Sequence, residues 1–133
     1  MMMALTDWSK YLAIGSNIIK GICAVSGIYD LTPIALTYIN EPLNLSPSEI
    51  NENSPLLLNF SSKNLANCQI MLAYGDNETS EFKRQTMALK DYLTNQSSSV
   101  LCAEITDRNH FDVILDLAKP NAWLSQQVFA QMT

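Results

Sequence analysis

The sequence predicts an α/β fold: about three parallel strands with helices flanking the sheet. Three short apolar runs, near residues 20–26, 69–74 and 100–105, are separated by stretches with helical periodicity. The first two are almost continuously apolar and close on glycines, Gly27 and Gly75. Strands covered on both faces have that character, and they belong to parallel sheets. Each run is followed by a polar turn and helical sequence, as right-handed β-α-β crossovers require.

Residues 2–12 read as a helix, with Met3, Leu5, Trp8, Tyr11 and Leu12 on one side and Thr6, Asp7, Ser9 and Lys10 on the other. No capping residue precedes its methionines, so the start is expected to be cut from a longer frame. Residues 22–25 form the first strand, and Asp30 is placed to cap a short helix at 33–36. Residues 40–45 read as a loop. Ser46-Pro47-Ser48-Glu49 is a capping box with proline at the first helical position, and Pro55 lies just past the end of that helix. A loop rich in Asn and Ser runs to Asn67.

Residues 69–74 are the second strand. Thr79 or Ser80 caps the strongest helix, ending near Asn95, in which Phe82, Thr86, Leu89 and Leu93 share a face. Lys83, Arg84, Lys90 and Asp91 face water. After a polar break at 95–99, Val100–Ile105 is the third strand and 107–110 a loop. A helix at 111–118 is stopped by Pro120, and a last helix covers 123–132. The order is α-β-α-α-β-α-β-α-α.

Composition narrows the partners. The 133 residues make one domain or a piece of one, and the net charge is −5 with eight scattered Lys and Arg. No basic patch exists to neutralise a phosphate backbone, so nucleic acid is not an expected partner. No apolar run reaches the ~18 residues of a membrane span, and the opening MMMALTDW lacks the basic region and cleavage site of a secretory signal. Cys23, Cys68 and Cys102 are odd in number, lack C-x-x-C spacing and sit in or beside apolar runs. They read as buried, reduced thiols of a cytoplasmic protein. One histidine and three scattered cysteines form no metal set, and no Gly-rich phosphate loop is present, so no cofactor is expected.

The candidate chemistry lies at two loops. Asp76 and Glu78 follow the second strand, at the sheet edge where open α/β folds place their ligands. His110, the single histidine, follows the third. Carboxylate then histidine are the last two members of a Ser…Asp/Glu…His relay. From the residues alone each has a plainer role: His110 structural or exposed, Asp76 a solvated turn residue, Asp30 a helix cap. Ser26 sits near a strand end without a G-x-S-x-G around it and does not read as a nucleophile.

Four segments in order, GICAVSGIYDLTPI, INEPLNLSPSEINENSPLL, AYGDNETSEFKRQ and RNHFDV, resemble the C-terminal half of α/β-hydrolases. More narrowly they resemble the kynurenine formamidase (arylformamidase) and related esterase branch. The resemblance covers essentially all of residues 1–133. It implies a partial α/β-hydrolase domain without the N-terminal half, which in that family carries the G-x-S-x-G elbow and the H-G-G oxyanion stretch. It implies His110 as general base and Glu78, directly ahead of Thr79-Ser80-Glu81-Phe82, as the acid that orients it. Asp76 is the second choice of acid and Asp30 the third. Arg84 and Gln85 fit the family pattern but read physically as helix-surface residues. The implied substrate is a small ester or amide, hydrolysed only when the missing half is joined. A non-enzymatic remnant or binding domain is the alternative. Baring a sheet edge is expected to favour self-association.

Overall fold

In the computed structural model, which describes residues 1–11, 18–59, 65, 67–96 and 99–132, strand β2 (Gln69–Gly75) is the axis of the fold. It pairs in parallel with β1 (Gly21–Val25) on one side and β3 (Val100–Ile105) on the other. Val25 lies opposite Ala73 and Gly75 opposite Ile105, so the C-terminal ends of all three strands emerge at one edge.

Successive side chains of a strand point to opposite faces, and β2 is apolar at both parities. Ile70 and Leu72 meet Leu89 and Leu93 of α5 (Ser80–Asn95), with Tyr29 in the same cluster. Met71 and Ala73 meet Leu124 of α7 (Trp123–Gln131), with Val25, Ile105 and Val128 packed beside them. Met71, Leu72 and Ala73 are fully buried. The expected three-stranded parallel sheet with helices on both faces is therefore present.

Burial of β1 on both faces is not. Its residues are half-buried or exposed, as are those of β3, because only the middle strand of three has neighbours on both sides. Cys23, expected inside, is exposed, while Cys68 is buried and Cys102 half-buried; all three are free thiols.

The first helix is much shorter than expected. α1 covers Met2–Leu5, and a separate 3₁₀ turn covers Trp8–Lys10. Asp7 breaks the run by accepting the backbone N–H of Ser9 (3.2 Å) and its hydroxyl, a local bond that competes with helix continuation. Only Ala4 is buried there, and Met3 and Tyr11 are exposed, so the expected apolar face does not form. Leu12 lies outside the described residues, as do 60–64, 66 and 97–98 of the expected loop and break.

After β1, Asp30 Oδ1 accepts the Thr32 N–H (2.8 Å) at the start of α2 (Thr32–Ala35). Residues expected as loop contain α3 (Asn40–Leu43), closed by Asn44 in the left-handed region at φ 47°. α4 (Pro47–Asn53) opens on the expected capping box, with Ser46 and Glu49 each serving the other's backbone N–H. α6 (Asp112–Leu115) runs into a 3₁₀ turn at Asp116–Ala118. Among the described residues no helix is long and apolar enough to cross a membrane.

Candidate active site

The site is assembled where β2 and β3 release the chain at the common edge. β2 ends at Gly75, where a β-carbon would overlap the Arg108 carbonyl oxygen. Glycine thus lets the two exit loops touch through their backbones. The ladder continues past the strands: Asp76 N–H donates to Ile105 O and Asn77 N–H to Arg108 O, both at 3.0 Å. A turn closed by Glu78 N–H to Gly75 O (3.2 Å) then folds Glu78 back over the strand end.

The loop that carries His110 is pinned from several sides. Asn109 Oδ1 accepts the N–H groups of Phe111 (2.8 Å) and Asp112 (3.0 Å) and so caps the turn on which His110 sits. Arg108 Nε donates to Asp116 Oδ2 (2.8 Å), and Lys119 Nζ reaches Asp116 Oδ1 (2.8 Å). The Arg108 guanidinium, then the Lys119 ammonium, hold the Asp116 carboxyl below its usual range. The imidazole stacks on Phe82 of α5 with ring centroids 4.3 Å apart, and Phe111 meets it edge-on at 5.4 Å.

The two loops bring Glu78 and His110 together. Glu78 Oε2 lies 3.2 Å from His110 Nδ1, its side chain wholly buried and that of His110 42% exposed. An ionised carboxylate can only accept, so opposite one a neutral ring would hold its proton on Nδ1 and keep the lone pair on Nε2. Glu78 Oε1 accepts the Gly75 N–H at 2.8 Å and the hydroxyl of Ser26.

The other candidate acids sit elsewhere. Asp76 Oδ1 accepts the Arg108 N–H (3.2 Å), binding one exit loop to the other. Backbone N–H groups of Asp107 and Arg108, with the Lys83 charge, lower its pKa. Asp30 Oδ1 accepts the Thr32 N–H just ahead of α2, but the N-cap is Leu31 and not Asp30 as its plainer role anticipated.

Two further residues escaped sequence reasoning. Gln85, read as a surface residue, is buried, and both ends of its amide are used. Its oxygen accepts from Tyr29 N (2.6 Å) and Asp30 N (2.8 Å), and its nitrogen donates to Asp30 O (3.0 Å) and Glu81 Oε1 (2.8 Å). Ser54, fully buried, accepts the Leu31 N–H (2.8 Å). These bonds tie the chain leaving β1 to α5 and to the end of α4. The signal for Gln85 was spacing: it lies three residues after Phe82 and four before Leu89, on the buried stripe.

His110 opens on a groove of about 490 Å³ lined by Val25, Ser26, Phe111, Ile114 and Leu115. Phe82 also lines a mainly apolar groove of about 510 Å³, walled by Ile28, Leu31, Pro33 and Ile34. A cavity of about 540 Å³ among Cys68, Ser99 and Gln131 lies at the opposite end of the strands. Among the described residues no cluster of His, Cys, Asp and Glu could hold a metal.

No family model matches the chain. It is 35% identical over 126 residues to a kynurenine formamidase of Danio rerio, covering 94% of this chain and 42% of that protein. It is also 35% identical over 136 residues to a kynurenine formamidase of Salmo salar, covering 98% and 45%. The chain thus spans less than half the length of these relatives. A crystal structure from Silicibacter sp., titled as a candidate thioesterase, superposes with a TM-score of 0.71 at 20% identity, over 94% of this chain and 45% of that one. Sequence relates the chain to the kynurenine formamidases, and its fold is that of an α/β-hydrolase-like protein.

Proposed function

We propose that this chain is the C-terminal, acid–histidine portion of a serine-type acyl hydrolase acting on small esters, amides or formamides. His110 is the general base, Glu78 the acid that orients it, and the nucleophile and oxyanion donors come from a segment that this chain does not contain. The observation that carries the reading is the buried Glu78 carboxylate on Nδ1 of a histidine whose other face meets a groove. The relationship to kynurenine formamidases supports it.

The chemistry follows from that geometry. With Nδ1–H held by Glu78, Nε2 can take the proton of a serine hydroxyl as its oxygen attacks the substrate carbonyl. The imidazolium so formed is stabilised by the buried carboxylate and returns the proton to the leaving amine or alcohol. A water then enters, loses its proton to Nε2, and attacks the acyl-serine; the proton returns to the serine oxygen as the acid leaves. Stacking on Phe82 keeps the ring in the plane these transfers need.

The test is complementation. The chain is fused to the portion of the Danio rerio relative that it does not match, and the product is assayed on an aryl formamide and a simple aryl ester. The fusion should turn over and the isolated chain should not. His110→Ala should lower kcat of the fusion by on the order of 10³-fold or more. A folded fusion without activity, or one indifferent to His110→Ala, overturns the proposal.

A further inference from the structure

We infer that Ser26 is a positioning residue for the Glu78–His110 pair: its hydroxyl, with the Gly75 amide, fixes one carboxylate oxygen so that the other faces the imidazole. The inference rests on the hydrolase reading and assigns a task to a residue from the neighbouring strand.

Ser26 is the first residue past β1. Its backbone N–H still donates to Ala73 O (2.8 Å), so the ladder between β1 and β2 holds it in register. There the backbone turns into the left-handed region at φ 48°, an uncommon conformation for serine. The turn sends the hydroxyl across the sheet edge onto Glu78 Oε1, 52 residues away in sequence. Ser26 is 6% exposed and the Glu78 side chain 0%, so this contact is largely shielded from water.

A buried carboxylate is tolerated only when its oxygens are paired. Oε1 has two donors, Ser26 Oγ–H and Gly75 N–H, leaving Oε2 for the ring proton. Donors on both oxygens oppose rotation of the carboxylate and hold the neutral imidazole as the Nδ1–H tautomer. The same bond disqualifies Ser26 as the nucleophile. A serine that attacks through this relay must donate its hydroxyl hydrogen to Nε2, whereas Ser26 donates to the carboxylate.

The single histidine gives one imidazole spectrum, so the full chain can be read directly by ¹⁵N NMR at a pH where the ring is neutral. Ser26→Gly removes the hydroxyl and accepts the positive φ without strain. Ser26→Ala removes it while keeping the β-carbon. The wild type should show the Nδ1–H tautomer; both variants should melt cooperatively yet lose that signature, the proton moving to Nε2. Retention of Nδ1–H in either folded variant overturns the inference. Failure of both variants to fold overturns it too, since the hydroxyl would then serve the fold. Glu78→Gln must lose the signature in every case; if it does not, the Glu78–His110 reading itself falls.

Discussion

Gln85 shows what one polar residue can decide inside an otherwise apolar interface. It stands on the stripe that α5 turns toward the sheet, and its amide satisfies two backbone N–H groups and one carbonyl of Tyr29 and Asp30. Leaving those N–H groups unpaired costs more than the bonds are worth in isolation. Gln85→Ala should therefore lower stability by about 3 kcal/mol, measured by urea denaturation, whereas Arg84→Ala on the exposed side of the helix should change it little. An equal, small effect of both would show that water reaches Tyr29 and Asp30 freely. The same residue marks the limit of sequence reading. Helical spacing put position 85 on the inner face, but its polar identity argued for the surface, and only the path of the chain after β1 resolves the conflict. Glu78 and His110 were legible because strand order places their loops together. The Ser26 contact was not, because it depends on the register of two strands whose paired residues lie 48 apart, Val25 opposite Ala73 (73 − 25) in one of five matched pairs.

Elements were legible in proportion to how much of their stability is local. The α4 capping box and the long apolar stripe of α5 formed as their sequences require. α1 did not, because an Asx-type bond at Asp7 outweighed a short apolar pattern with little to pack against. The elements around the site are joined by a second carboxylate that sequence did not single out. Asp116 accepts from Arg108 ahead of α6 and from Lys119 after it, and its backbone carbonyl accepts the Ser125 hydroxyl of α7 at 2.9 Å. Its folded pKa is lowered below 3.8, chiefly by Arg108 and then by Lys119. The unfolded chain thus takes up the proton first as pH falls. The stability this carboxylate contributes is complete above its unfolded value and is lost as pH drops through the folded one. Asp116→Asn should cost about 2 kcal/mol near neutrality and flatten the decline of stability below about pH 4. Chemical melts at descending pH would measure both; an unchanged acid slope would assign it to other carboxylates.

At the scale of the molecule, the sheet has a finished centre and unfinished sides. β2 is saturated by two neighbours, but β1 and β3 each have a flank with no strand among the described residues. β1 lacks the usual guards of an edge: Gly21–Val25 contains no lysine, proline or charged residue, and Cys23 within it is exposed. Large apolar side chains add to this, with Leu36, Tyr38, Phe111 and Met132 all more than three-quarters exposed. A net charge of −5 opposes association but is spread over the whole chain and does not protect one strand. We therefore propose that the isolated chain self-associates through β1, a second copy pairing with its open flank. Light scattering on a reduced sample should give a mass above the monomer that rises with concentration. Cys23→Lys, a charge within the edge, should return it to monomer, whereas Cys23→Ser should not, which separates strand pairing from disulfide linkage. A wild-type chain that stays monomeric across the range would mean that β1 is covered by its own chain and that the sheet is complete at three strands.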